Sequence, residues 1–191
     1  MEIINLDQNT PEWHLFRRCH IGASDAASII GANPYKNKAK LWDEKVRGIN
    51  EEENEWMTRG KLLEKEALMK FEQMTGHLCF PVVVIHPKQE WCSASLDGLD
   101  VEKKFLLEIK CPGRKNHDIA LNGTVPKHYF PQLQHQLFCT ELDLAYYFSY
   151  DGESGVIIEV NRDDEYIENL LSLEYEFWLT IKDKVTGLWM Q

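Results

Sequence analysis

No stretch of about 18 consecutive apolar residues occurs in the 191-residue chain, so nothing in it reads as a membrane-spanning helix. The opening MEIINLDQNTPEWHLFRR also lacks the charged start and apolar block of a secretory leader, and a cytoplasmic protein with no membrane partner is expected. The five cysteines are an odd set without a C-x-x-C pair, which fits reduced thiols and argues against both a disulfide framework and a zinc site. There is no internal repeat, low-complexity block or Pro/Gly/Ser-rich linker to divide the chain, so residues 1–191 are read as a single domain. Positive charge is scarce: 21 Lys and Arg face 31 Asp and Glu, a net charge of −10 that speaks against a uniformly nucleic-acid-binding surface.

What is present qualifies that last point. Residues 1–40 hold 5 bases and 4 acids and residues 101–140 hold 6 bases and 3 acids, whereas residues 151–191 hold 3 bases and 10 acids. The acidity belongs mostly to the C-terminal end. It reads either as a solvated helix face or as an exterior that limits non-specific sticking while two less acidic segments follow a phosphate path.

With 43% hydrophobic residues the chain has ample material for a core. Thr10 followed by Pro11 predicts a helix start, and a short helix through Arg18 follows. GASDAASIIGANPY predicts a loop feeding a helix capped by Ser24 and ended near Gly31, and LWDEKVRG predicts another short helix. Between Glu55 and Thr75, Leu63, Ala67, Leu68 and Phe71 recur at helical spacing with Gly76 as the stop. FPVVVIHP, EWCSASLDG and FLLEIKCP then predict three consecutive, mainly antiparallel strands. KHYFPQLQHQLFCTEL returns to helical spacing, LAYYFSY and GVIIEV give two more strands, and an acidic amphipathic helix runs from Asp163 to about Lys184. The expected class is α/β, a central mixed sheet flanked by helices, with one helix inserted between the third and fourth strands.

The chemistry concentrates in SLDGLDVEKKFLLEIKCPG, residues 95–113. On a strand Glu108 and Lys110 share one face while Leu107, Ile109 and Cys111 take the other, and pairing across residues 98–104 brings Asp97 near Glu108. Two carboxylates that close raise each other's pKa unless a cation lies between them. Oxygen donors from Asp97, Glu108 and the carbonyl of Ile109 suit Mg²⁺, and Lys110 beside them would orient or deprotonate a water. The plainer alternative is a strand-end ion pair of Lys110 with one acid, worth about 0 to 1 kcal/mol if exposed.

The surrounding text favours the first reading. Asp97 followed by Glu108-x-Lys110 resembles the core of the PD-(D/E)xK nucleases, with Leu96 where the superfamily name has proline. WHLFRRCHIGASDAASIIGANPY, RGKLLEKEA, SLDGL, LEIKCP and YFPQLQHQL, in that order across residues 13–138, resemble the phage lambda exonuclease and YqaJ-type viral recombinase family. The resemblance implies a restriction-endonuclease-like fold and a third metal-site acid at Glu64, from the G-K-x-x-E motif. It further implies two Mg²⁺ ions about 3.5 to 4 Å apart, for which Mn²⁺ would substitute. A pocket for a terminal 5′ phosphate is implied at Arg17, Ser24, Ser95 and Gln132, with Gln132 also serving catalysis as the glutamine that follows the Glu-x-Lys strand. Met57 matches an apolar wedge that splits the duplex.

Bland readings stand beside these: Glu64 as a solvent-facing helix residue, Ser24 as an ordinary N-cap, Met57 as packing. Arg18 competes with Arg17, and Gln134 with Gln132. The expected function is Mg²⁺-dependent 5′ to 3′ exonuclease action on linear double-stranded DNA. It would release 5′ mononucleotides and leave a 3′ overhang for a single-strand annealing protein. A ring-shaped homotrimer acting in the cytoplasm of a bacterial or phage-infected cell is implied by the same family. The alternatives are an endonuclease or single-strand nuclease on the same core, and a non-catalytic DNA-binding scaffold.

Overall fold

Thr10 and Pro11 start the first helix as their chemistry predicts. The Thr10 side chain accepts the Trp13 N–H at 3.2 Å, and Pro11 occupies a first-turn position that needs no donor. The computed structural model describes residues 1–49 and 55–189, without the side chains of Trp56, Met57 and Trp189. In chain order the elements are β1 (Glu2–Ile4), α1 (Pro11–Arg18), β2 (Ile21–Gly22), α2 (Ala26–Ile29), α3 (Lys38–Arg47) and α4 (Glu55–Thr75). There follow β3 (Cys79–Ile85), β4 (Cys92–Asp100), β5 (Leu106–Lys110), α5 (Arg114–Leu121) and α6 (Phe130–Thr140). The chain closes with β6 (Leu144–Tyr150), β7 (Gly155–Asn161) and α7 (Asp164–Trp189).

The strands form one mixed sheet in the order β1-β3-β4-β5-β6-β7, with β2 added parallel to β4. The β3, β4 and β5 segments are antiparallel neighbours as expected, whereas β5 and β6 run parallel. A parallel pair needs a long crossover, and here it contains two helices where one was expected. The additional helix is α5, whose eight residues carry too little apolar periodicity to declare it in the sequence. The expectation that Ser24 caps a helix is also corrected. Ser24 is the middle residue of a 3₁₀ turn, Ala23–Asp25, because the Asp25 carboxylate takes the Gly22 N–H at 2.8 Å and tightens the chain there. The charged segment at residues 50–54 lies outside the described residues.

One sheet face is closed by α6. Leu133 and Leu137 meet Val82, Val84, Leu96, Leu99 and Leu106 in the main core. The other face is closed by α4, where Ala67 and Phe71 pack on Leu107, Ile109, Phe148 and Tyr150. This division follows from the strand period of two, which sends Leu106 and Glu108 to one side and Leu107 and Ile109 to the other. A third cluster joins α2, α3 and α7 through Ile29, Leu41, Phe177 and Ile181. Among the described residues no helix is long and apolar enough to cross a membrane.

The sheet is irregular where the chemistry lies. β3 and β4 pair as Phe80↔Leu99 and then Val82↔Leu96, so Asp97 and Gly98 together face Pro81 alone. Proline has no N–H to give a ladder, and a bulge is where a strand tolerates it. The extra residue lets Leu96 and Leu99 both enter the α6-side core and re-aims Asp97. Gly98 is required by close approach: a Cβ there would stand 2.8 Å from Cys79 Cβ and 3.1 Å from Leu107 Cβ.

Candidate active site

Asp97 stands where the β4–β5 ladder ends. Regular pairing stops at Gly98↔Leu107, and beyond it the Asp97 carboxylate itself accepts the Ile109 N–H at 2.7 Å. An acid on the bulge thus replaces a backbone acceptor and is held against the tip of β5. Glu108, 1% exposed, projects under α6. Its Oε1 accepts from Gln132 Nε2 at 2.6 Å and from Lys110 Nζ, and its Oε2 accepts from Gln136 Nε2. Gln132 and Gln136 are one helical turn apart on α6, so both amides reach the same carboxylate. Lys110 also lies 5.3 Å from the centroid of the Tyr129 ring.

Burial pushes the Asp97 carboxyl well above the usual carboxylate range, and the neighbouring Glu108 carboxylate adds to this against the pull of Lys110. Burial would depress the Lys110 ammonium, but Glu108 and Asp97 outweigh it and its pKa is raised. As arranged here Lys110 is a firmly held cation rather than a free base. Glu64 is exposed, yet partial desolvation of its carboxyl raises its pKa, with Lys110 opposing and Glu108 adding to the rise. Lys110 therefore acts on all three acids, with Lys61 adding its pull on Glu64 alone. Gln136 Oε1 adds a buried acceptor with no partner among the described residues.

This is a donor set short of positive charge. Its atoms are carboxylate and carbonyl oxygens, which suit a hard divalent cation. The adjacent Cys111 thiol is pushed up to about 11 by burial.

A second group gathers around Trp13 of α1. The Arg17 guanidinium donates to Ser24 Oγ at 2.9 Å and lies 4.5 Å from the Trp13 ring centroid, while Trp13 Nε1 donates to Ser95 Oγ at 2.8 Å. Three residues implied for a 5′-phosphate pocket are therefore joined through an indole that the sequence reading did not single out. The fourth, Gln132, gives its amide to Glu108 instead. Arg18 points elsewhere: its Nε and Nη2 donate to the Lys45 and Val46 carbonyls, both at 3.3 Å, at the C-terminal end of α3. Gln134 fastens the entry to α7, donating to Asn161 O at 2.9 Å and accepting the Asp163 N–H at 2.9 Å. The Met57 side chain, read as a strand wedge, lies outside the described residues.

Among the described residues one set of His, Cys, Asp or Glu ligand atoms lies wholly within 4.8 Å: Cys92, His135 and Glu174, all buried. The absence of close cysteine pairs could not reveal it, since its members come from β4, α6 and α7. These atoms are close enough to share an ion, but both ring nitrogens already have protein partners. His135 Nε2 donates to the Ser93 carbonyl at 3.0 Å, and Nδ1 faces the Glu174 oxygens at 2.8 and 2.9 Å. Burial disfavours the imidazolium, yet Glu174 outweighs it and the His135 pKa is raised well above its ordinary value.

Residues 12–143, well over half of the chain, match the YqaJ-like viral recombinase domain. The chain belongs to the YqaJ-like viral recombinase family. It is 32% identical over 190 residues to the uncharacterized protein YqaJ of Bacillus subtilis, covering 96% of this chain and 59% of that protein. An African swine fever virus protein is 28% identical over 157 residues, which is 66% of this chain and 44% of the viral one. The chain thus spans less than two thirds of these curated relatives. Among solved structures, the alkaline exonuclease LHK-Exo of Laribacter hongkongensis superposes with a TM-score of 0.77 at 26% identity, over 94% of this chain and 96% of that one. The same protein in complex with dAMP gives 0.78. A phage-related exonuclease from Haemophilus somnus shares the fold, with a TM-score of 0.62 at 16% identity over 83% of this chain and 93% of that one. The expected family and the lambda-exonuclease-like α/β fold, a mixed sheet flanked by helices, are both borne out.

Proposed function

We propose that residues 1–191 form one nuclease domain acting in recombination, a metal-dependent exonuclease that digests linear double-stranded DNA from 5′ ends. Membership of the YqaJ-like family and the likeness to an alkaline exonuclease support nuclease chemistry. The observation that carries the reading is the charge deficit at Asp97, Glu108 and Lys110, since a part-buried and a fully buried acid sharing one ammonium are costly unless a cation and a phosphate complete them. Glu64, Asp97, Glu108 and the Ile109 carbonyl are the groups that would hold Mg²⁺. When bound, the ion supplies the positive charge that activates water and stabilises the departing 3′ oxygen.

The chain's own residues then divide the task. Gln132 and Gln136 fix the Glu108 carboxylate, and the Ile109 N–H fixes Asp97, so both acids are set in place before substrate arrives. Lys110 places a positive charge beside the scissile phosphate and orients the attacking water. A base role for it requires that Glu108 first be drawn to another cation. Arg17, with its fork aligned by the Trp13 ring, together with Ser24 and Ser95, receives the terminal 5′ phosphate. Gln132 joins this pocket only by releasing Glu108. The resulting 3′ overhang would pass to a single-strand annealing protein, and a homotrimeric ring would confine the basic surface to its channel. The proposed place of action is the cytoplasm of a bacterial or infected cell; among the described residues no helix is long and apolar enough to cross a membrane.

The test is digestion of linear duplex labelled separately at each 5′ and 3′ end, with and without Mg²⁺, alongside covalently closed circles. The 5′ label is expected to appear first, as mononucleotide, only with the divalent ion and only from linear DNA. Nicking of closed circles would replace the exonuclease reading with an endonuclease one.

A further inference from the structure

Beneath the Arg17–Ser24 pair lies a buried ion pair that the proposed chemistry does not use. Lys45 of α3 is 2% exposed and Asp25, at the end of the 3₁₀ turn, is 3% exposed. The Lys45 ammonium donates to the Arg17 carbonyl at 2.6 Å and to the His20 carbonyl at 2.8 Å, and it forms a salt bridge with Asp25 Oδ2. All three of its donors are thereby used. Asp25 Oδ2 also accepts the Gly22 N–H at 2.8 Å, which shapes the turn that presents Ser24.

This arrangement answers an electrostatic difficulty. The carbonyls that end α1 carry partial negative charge and Asp25 carries a full one, and both stand next to the group proposed to receive a phosphate. Uncompensated, they would repel it. Lys45 cancels them from below, leaving the Arg17 guanidinium as the net charge facing outward. It also ties the backbone at Arg17 to the turn that carries Ser24, which fixes the spacing of the two phosphate-binding groups. Arg18, donating to the Lys45 and Val46 carbonyls, locks the same α3 end to α1 from the other side.

We propose that Lys45, through Asp25, is a positioning residue for the 5′-phosphate pocket, holding Arg17 and Ser24 in register and removing the negative field beneath them. This rests on the 5′-end reading above. The experiment measures kcat and KM with Mg²⁺ on linear duplex bearing 5′-phosphate or 5′-hydroxyl ends, for the unaltered protein, Lys45→Met and Leu41→Ala, the last a core change on the same helix. In Lys45→Met the kcat/KM ratio of phosphorylated to hydroxyl ends is expected to fall about tenfold, mainly through KM. Leu41→Ala is expected to lower the melting temperature while leaving the ratio in place. Should Lys45→Met not fold, Lys45→Met combined with Asp25→Asn buries no unpaired charge and carries the same comparison. An unchanged ratio in the folded Lys45 variant, or an equal fall in Leu41→Ala, overturns the proposal while the pocket stands. Absence of any phosphate preference in the unaltered protein overturns the pocket itself, and this inference with it.

Discussion

Asp25 and Asp97 are the same side chain in two opposite environments. Asp25 is buried, and although burial alone would raise its carboxyl, Lys45 and Arg17 outweigh that and hold it below its ordinary value. Asp97 is partly buried, and there desolvation and the Glu108 carboxylate together outweigh Lys110 and push the carboxyl up. The first belongs to a paired and hydrogen-bonded set, as does the His135–Glu174 pair in the core, although burial, against the pull of Asp25, still holds the Lys45 ammonium below its ordinary value. The second belongs to an open set. Burial alone therefore does not single out a candidate functional acid; a set of acids short of positive charge does.

The largest effect should come from making Asp97 neutral. Asp97→Asn is expected to lower nuclease turnover at least about 100-fold, while the melting temperature stays level or rises because one of two crowded acids is removed. A clear fall in melting temperature would move Asp97 to the structural side of the comparison. Asp25→Asn should instead act on stability, destabilising the fold by about 3 kcal/mol because Lys45 is left buried without its counter-charge. Its pH dependence follows from the lowered carboxyl. Asp25 contributes stability above the unfolded value of 3.8, and this is lost as pH falls through the lower folded value. Denaturant midpoints of protein and variant are thus expected to converge below about pH 4.

Gln136→Leu sharpens the contrast within the open site. It removes one of the amides holding Glu108 while keeping the volume of the side chain. About tenfold lower turnover with little change in thermal stability is expected. The smallest effect is expected from Arg18→Ala, about 1 kcal/mol of stability for the lost bonds to the Lys45 and Val46 carbonyls. It should leave the preference for 5′-phosphorylated ends in place, whereas Arg17→Ala should reduce that preference; competition between the two end types reads both.

Much of this was legible in the sequence because the relevant signals are local. The alternation around Glu108 and Lys110 and the Thr10-Pro11 start depend on neighbours within a few residues, and the structure reproduces them. The mixed sheet followed from the order of strand and helix patterns. What escaped depended on contacts distant in sequence or on an irregular backbone. Pro81 opposite Asp97 and Gly98 was the available sign of the bulge, but its meaning requires the register of two strands. Trp13, Lys45 and Gln136 read as ordinary core or helix residues until Ser95, Asp25 and Glu108 are brought against them. Ser24 was misplaced as a cap because Asp25, one residue later, competes for the same backbone turn and wins it.

The site at Asp97 and Glu108 is short of positive charge, which the proposed divalent ion would supply. Thermal unfolding of the protein and of Asp97→Asn over a range of Mg²⁺ concentrations tests this claim without reference to turnover. The unaltered protein is expected to gain melting temperature as Mg²⁺ rises. Asp97→Asn is expected to start at least as high and to stay flat. No gain in the unaltered protein, or an equal gain in both, would contradict the claim.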